Sequence, residues 1–343
     1  MKSLSIREIA KLAGCSVSTV SNVLNEREGF FSEDTRKRVM QVVRENNYVS
    51  NSAGRTLRKG STETVGVVFY PKNTDIFGSE FYINILRSVQ SYLAKNNYEM
   101  LLSEYTADMF SAGLPPQCVL RGKVDGIIVL GGFPLDAVEA IKSHDVPCVF
   151  LDFFTENADC ITSNGRVAVK DIVRKLVLQG HTHIEYFAYG LNTYSCSVRV
   201  AGFIDGIKEA GLDENLCKVY DKLEDTQSAI ELLDRILETE RIPSAIIGCN
   251  DFLASTLMSH VLDKKLRVPE DIAFFGYDDI SLSRTSRPTL STVHVDINQM
   301  GEFAGQMLLD RIENPSAEFL VKMLEPKIIE RESSQGFKGM LMA

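Results

Sequence analysis

The chain has 343 residues and a formal net charge of −9. That length allows more than one folded core, and no apolar run approaches the ~18 residues of a membrane span. Its seven cysteines are scattered, odd in number and without CxxC spacing, which argues against structural zinc or a disulfide framework. With no charged-then-apolar leader, a reducing cytoplasm is the expected setting.

The first predicted element begins at Ser5, where Glu8 three residues on completes a capping box. Ile6, Ile9, Ala10 and Ala13 then repeat at helical spacing and give one apolar face. Gly14 suits a sharp helix-ending turn. Ser16 can cap a second helix with Val20, Val23 and Leu24 on its inner face. Its outer face is expected to be Val17, Ser18, Ser21 and Asn22, short side chains that would let the helix lie deep in a major groove. Its free N-terminal amides suit a phosphate. An ordinary amphipathic helical pair would show the same capping. Against that reading, a third helix follows, capped at Ser32 and running through Thr35, Val39, Val42 and Val43. After it comes a short basic stretch from Tyr48 to Gly60. These parts spell a helix-turn-helix.

Charge agrees. Residues 1–60 hold 11 Lys and Arg against 6 Asp and Glu, a net +5, so the remainder carries −14 of the −9 total. A basic head on an acidic body suits DNA, because its cations release counterions from the phosphates.

Beyond Gly60 the pattern turns to β-α-β. Strand-like runs are expected at 64–70, 98–104, 124–130 and 146–151, and again at 183–188, 218–220, 245–249 and 272–275. Amphipathic helices are expected between them, at 81–95, 167–179, 197–210, 228–238 and 252–264. Near-continuous apolar strands alternating with helices imply parallel sheets covered on both faces. Two such series imply two doubly wound lobes, whose ligands sit beyond the carboxyl ends of the strands.

Polar residues stand there: Asp152, Asn250-Asp251 and Tyr277-Asp278-Asp279, with Arg199 early in a helix. Together they could hydrogen-bond vicinal hydroxyls or a nucleobase edge, with aromatic faces on the apolar side. Each could equally cap a helix or close a loop. Catalytic readings are weaker. Asp278 and Asp279 are sequence neighbours on a turn, and such pairs seldom aim at one bond. His181-Thr182-His183 lies at a helix-to-strand junction, and no P-loop, nucleophile elbow or HExxH occurs. No catalytic residue, metal site or cofactor is expected.

The segments "IREIAKLAGCSVSTVSNVLN", "SEDTRKRV", "NNYVSNSAGRTLRKG" and "TVGVVF" resemble the LacI/GalR family of transcriptional regulators, and "VRVAGF", "CNDFLA" and "FGYDD" extend the resemblance along the chain. The resemblance implies an all-α three-helix helix-turn-helix headpiece (1–49) and a hinge helix (50–60). It implies an α/β effector domain (61–343) of two doubly wound parallel-sheet lobes, periplasmic-binding-protein-like. Lobe 1 is expected near 61–162 and 292–323, lobe 2 near 163–291 and 324–343. It implies DNA contacts or their supports at Ser5, Ser16, Val17, Ser18, Ser21, Asn22, Asn25, Ser32, Thr35, Tyr48, Asn51, Gly54, Arg55 and Leu57, with Leu57 as a minor-groove wedge. It implies Arg199, Asn250, Asp278 and Asp152 as effector contacts, Phe81 and Tyr82 as aromatic lining, and Gly180-His181 as a structural turn. Asp251 and Asp279 are expected to serve loop structure.

Three departures stand out. Gly54 replaces the usual alanine, at a cost of about 1 kcal/mol in helix propensity. The turn from Glu26 to Phe31 is slightly long, and Ser163-Asn164 stands where an Asp-Asn pair is common. The tail after Ile329 has no room for a tetramer-forming heptad helix. The expected protein is a cytoplasmic, non-enzymatic, dimeric repressor of a pseudo-palindromic operator, answering a small carbohydrate. A nucleobase effector, or a sugar receptor that binds no DNA, are the alternatives.

Overall fold

A computed structural model of the chain describes residues 4–24, 26–27, 29–46, 48, 60–189, 193–239 and 241–336. Two compact units emerge, Met1–Thr62 and Glu63–Ala343.

In the first unit, α1 (Ile6–Leu12), α2 (Val17–Leu24) and α3 (Glu33–Glu45) enclose a small core. Ser5 Oγ accepts from the Glu8 amide at 3.4 Å, and the Glu8 carboxylate accepts from the Ser5 amide at 2.7 Å. The left-handed backbone of Gly14 (φ +61°) turns the chain between α1 and α2. Ser16 Oγ accepts from the Thr19 amide at 3.0 Å, and Ser32 Oγ from the Thr35 amide at 3.3 Å. Ile9, Ala10, Ala13, Val20, Val23 and Val39 are buried together, as the periodicity predicts.

The second unit holds two parallel sheets. The first comprises β1 (Thr64–Phe69), β2 (Glu99–Glu104), β3 (Gly126–Leu130), β4 (Cys148–Leu151) and β5 (Asp159–Ser163). Between them run α4 (Glu80–Lys95), α5 (Ala107–Ser111), α6 (Gln117–Leu120) and α7 (Leu135–Lys142). From β5 the chain enters the second lobe through α8 (Gly165–Leu178). There β6 (Ile184–Tyr189), β7 (Val219–Leu223), β8 (Ala245–Gly248) and β9 (Ala273–Phe275) alternate with α9 (Tyr194–Glu209), α10 (Thr226–Leu237) and α11 (Asp251–Asp263). Next come α12 (Ser281–Thr285), β10 (Thr292–His294), α13 (Ile297–Glu313), β11 (Val321–Leu324) and β12 (Lys327–Ile329).

Strand order is β11-β5-β4-β3-β1-β2 in the first lobe and β7-β6-β8-β9 in the second. In both, order reverses beside the first strand, which leaves a crevice at the strand ends where such folds bind ligands. All eight strand runs expected from the sequence are present, and the five expected helices lie within three residues of their observed starts. The return segment was expected in lobe 1 from about 292, but its strands and helix were not read from sequence. β10 pairs with β12 and is bridged to the β9 side through Phe275–Ser291 and Asp278–His294. The chain therefore re-enters the first lobe between His294 and Ile297, after the 292 expected. There α13 packs on α4, and β11 adds a parallel edge strand to β5.

Among the described residues no helix is long and apolar enough to cross a membrane, and no group of three or more potential ligands could hold a metal ion.

Candidate functional site

In the first unit, α2 presents Val17 and Ser18 to solvent, with Val17 40% exposed and Asn22 half-buried. The hydroxyls of Ser16, Ser18 and Thr19 meet at 2.7 and 2.8 Å around the helix N-terminus. Ser21 departs from expectation. It is only 8% exposed and belongs to the inner side of α2, because Val20 and Val23 on either side of it both face the core. Tyr48 packs at the margin of that core, and burial pushes its phenol up. Asn25, Asn51, Gly54, Arg55 and Leu57 lie outside the described residues.

In the second unit, four of the six residues expected to meet the effector converge. Asp152 follows β4 with left-handed backbone (φ +59°), and Asp278 follows β9 with φ +108°. Such backbone is costly for a residue with a Cβ and recurs at functional sites. Arg199 projects from α9, whose position is set by contact with α8. A Cβ on Gly202 would lie 2.2 Å from the Arg166 carbonyl oxygen, so only glycine lets the two helices close this far.

The Arg199 guanidinium donates to the Cys249 carbonyl at 2.7 Å, lies 3.6 Å from the centre of the Tyr277 ring and stands 3.6 Å from Asp278. The last distance is an ion pair rather than a hydrogen bond. Tyr82 donates weakly to Asp152 Oδ2 at 3.4 Å, and the Tyr277 hydroxyl meets Ser163 Oγ at 3.2 Å. Ser163 thus occupies its departure from the family pattern by holding a tyrosine.

Burial dominates the electrostatics. It pushes the Asp152 carboxyl up to about 6 and the Asp278 carboxyl up to about 7, although Arg199 pulls both downward. One guanidinium serves two buried carboxylates. Burial also works against the Arg199 charge, but Asp278, Tyr277 and Asp152 hold it protonated. Asp152 Oδ1, Arg199 Nε, Thr74 Oγ1 and Tyr186 Oη are buried without a hydrogen-bond partner. Orphaned polar atoms of this kind need an explanation, and a polar ligand supplies one.

The linkage has a definite sign. Native Asp278 holds a proton up to about pH 7, whereas an unfolded aspartate releases it near ~4. Unfolding therefore releases a proton across that window, and this group's contribution to stability falls as pH rises through it. Asp152 acts in the same direction. Buried His181, lowered to about 4 by desolvation, acts oppositely below ~6.5. The difference in Tm between the wild type and Asp278→Asn isolates the one group. The wild-type Tm minus that of the variant should fall steadily from pH 5 to about pH 7 and level off above it, because asparagine mimics the protonated carboxyl, and a flat difference would refute the assignment.

The other two residues differ. Asn250 is the N-cap of α11, its Oδ1 accepting from the Leu253 amide at 2.9 Å. Phe81 is 6% exposed within the apolar core, edge-on to Tyr82 at 5.3 Å. Asp279 and Asp251 serve loop structure. Asp279 accepts from Arg331 at 2.6 Å and Arg284 at 2.9 Å, and Asp251 accepts from the Ile280 amide at 2.9 Å. His181 contacts Ser244 Oγ at 3.0 Å within a buried turn.

Beside the charged cluster opens a cavity of about 870 Å³, lined from the first lobe by Phe133, Asp136, Phe153 and Phe154 and from the second by Tyr189, Tyr194, Cys196 and Asp221. The cluster residues do not line this volume. Cys196 does, one turn before Arg199 in α9, as do Phe153 and Phe154 directly after Asp152, so the cluster borders the cavity wall. Most of these lining residues were missed from sequence, although Phe153-Phe154 directly after Asp152 is a legible signal.

Residues 5–51 match the model of the lacI family of bacterial regulatory proteins, and residues 173–334 match a periplasmic binding protein-like domain. The chain is 32% identical to the HTH-type transcriptional repressor PurR of Vibrio atlanticus, over 96% of this chain and 98% of that protein. It is 30% identical to the ribose operon repressor of Haemophilus influenzae, over 97% and 99%. The lac repressor dimer bound to operator and the anti-inducer ONPF superposes with a TM-score of 0.84 at 22% identity, covering 98% of this chain and all of that one.

Proposed function

The chain belongs to the lacI family of bacterial regulatory proteins, and from that premise we infer a transcriptional repressor whose hold on its operator is set by a small ligand. The observation that carries the ligand half is the buried Asp152–Arg199–Asp278 cluster with its orphaned polar atoms behind an aromatic cavity. Two copies would bind a pseudo-palindromic operator, one α2 helix to each half-site. Cleft occupancy would bias the orientation of the two lobes and so the DNA-bound state, a population shift between two arrangements. The working compartment is the cytoplasm, where the operator is.

The effector is a small carbohydrate. Sugar hydroxyls both donate and accept, which suits carboxylates facing a guanidinium, and the C–H face of a sugar suits the rings of Phe153, Phe154 and Tyr194. Operator binding titrated with a panel of sugars and nucleobases is the test. A saccharide that shifts the operator affinity supports this reading, and a response confined to nucleobases overturns it.

On the DNA side, Asn22 can make a bidentate contact to adenine and exposed Val17 can pack on a thymine methyl. Asn22→Ala should cost about 1–3 kcal/mol on the cognate operator and relax specificity at one base pair per half-site. Equal losses on cognate and random DNA at fixed salt would count against that role.

A further inference from the structure

The cavity beside the cluster is unbalanced in charge. Among its described lining residues the charged ones are Asp136, from the first lobe, and Asp221, from the second. Both are exposed, and among the described residues no lysine, arginine or histidine lines the space with them. Among the described residues the cation of the buried cluster, Arg199, already meets the Cys249 carbonyl, the Tyr277 ring and Asp278, with only Nε left over. Asp152, 4% exposed, keeps Oδ1 without a partner just before the lining pair Phe153-Phe154. Two exposed carboxylates thus line the cavity itself, with two buried carboxyl groups and one guanidinium behind it.

The aromatic lining points the same way. Phe153 and Phe154 each pack against Tyr194, at 6.2 and 5.7 Å between ring centres, and Tyr189 lines the same cavity. Ring faces carry negative potential and attract cations, most strongly where water is partly excluded. A phosphate or carboxylate would meet two exposed carboxylates in the cavity and find its nearest counter-charge, Arg199, buried behind the wall. A cationic ligand would supply the charge that the cavity lacks.

We propose that the effector is an amino sugar, its ring stacked in the aromatic cavity and its protonated amine directed to Asp136 and Asp221. The proposal rests on the reading of the cavity as a carbohydrate effector site and narrows it to a cationic member of that class. Phosphorylated and acidic sugars should then be the poorest ligands, because like charges in a partly enclosed site repel.

Calorimetric titration of the full chain with glucosamine and galactosamine, their N-acetyl and unaminated counterparts, and glucose 6-phosphate tests this. At least one amine should bind about tenfold more tightly than its uncharged counterparts. That preference should fall in Asp136→Asn/Asp221→Asn and shrink on raising salt, because exposed carboxylates are screened. The salt series reads out on the unmodified protein, so a misfolded variant does not blunt the test. Equal or tighter binding of the neutral sugars or the phosphate overturns the amine assignment and leaves the carbohydrate reading standing. If no saccharide of any charge binds while a nucleobase does, both fall together.

Discussion

Asp278→Ala should abolish the effector response while operator binding persists. The carboxylate is buried, paired with Arg199 at 3.6 Å, and has an oxygen without a hydrogen-bond partner. Removing it takes away the counter-charge of Arg199 behind the cavity wall and leaves that buried cation, and any effector donor that reaches the cluster, unpaired. The expected loss is on the order of 3 kcal/mol, about a hundredfold in effector concentration. Folding should survive, because burial already disfavours the Asp278 charge. Arg199 also keeps the Cys249 carbonyl and the Tyr277 ring. The measurement is operator affinity with and without effector. A variant that still responds at the normal effector concentration would show that the cluster is not the effector contact.

Arg311→Ala should be the most destabilising single change in the effector domain. The Arg311 guanidinium grips Asp159 through two hydrogen bonds of 2.7 and 3.1 Å. It also donates to the carbonyls of Pro315, Ala317 and Glu318. Asp159 in turn accepts from the Leu320 amide at 2.8 Å. This network anchors the end of α13 and edge strand β11 to β5. With the arginine gone, Asp159, 2% exposed, becomes an uncompensated buried charge, which costs about 3–5 kcal/mol. Urea unfolding should register the loss in the midpoint. Arg174→Ala, which removes an arginine paired with Asp171 and Glu209 on the open surface, should leave the midpoint nearly unchanged. Equal effects of the two substitutions would refute the argument.

The headpiece was legible because its signals are local. Ser5 with Glu8, the turn at Gly14, and the caps at Ser16 and Ser32 each specify a few bonds within a few residues. The 3.6-residue period then names the core face directly. Where that logic slipped, at Ser21, the reason is angular. Ser21 lies between the core-facing Val20 and Val23 on a short helix, so the buried stripe is wide enough to take it in. The strands of both sheets were legible for the same local reason, as apolar runs bounded by turns.

By itself, then, the sequence determined the class of the protein: a capped helix-turn-helix ahead of two alternating β-α series, with the polar strand-end residues exposed to suspicion. Tertiary structure decided which of those residues meet. Asp152, Arg199 and Asp278 lie far apart in the chain and come together because two lobes, linked by three crossings, face each other at their strand ends. Asn250 and Phe81 carry the same sequence signals, yet one caps α11 and the other fills the core. A side chain's direction depends on strand order and helix packing, and those depend on contacts between residues hundreds of positions apart. The resemblance placed the return in lobe 1, but local signals gave neither its strand nor α13, for a related reason: their partners, β5 and α4, belong to a lobe that the chain left long before.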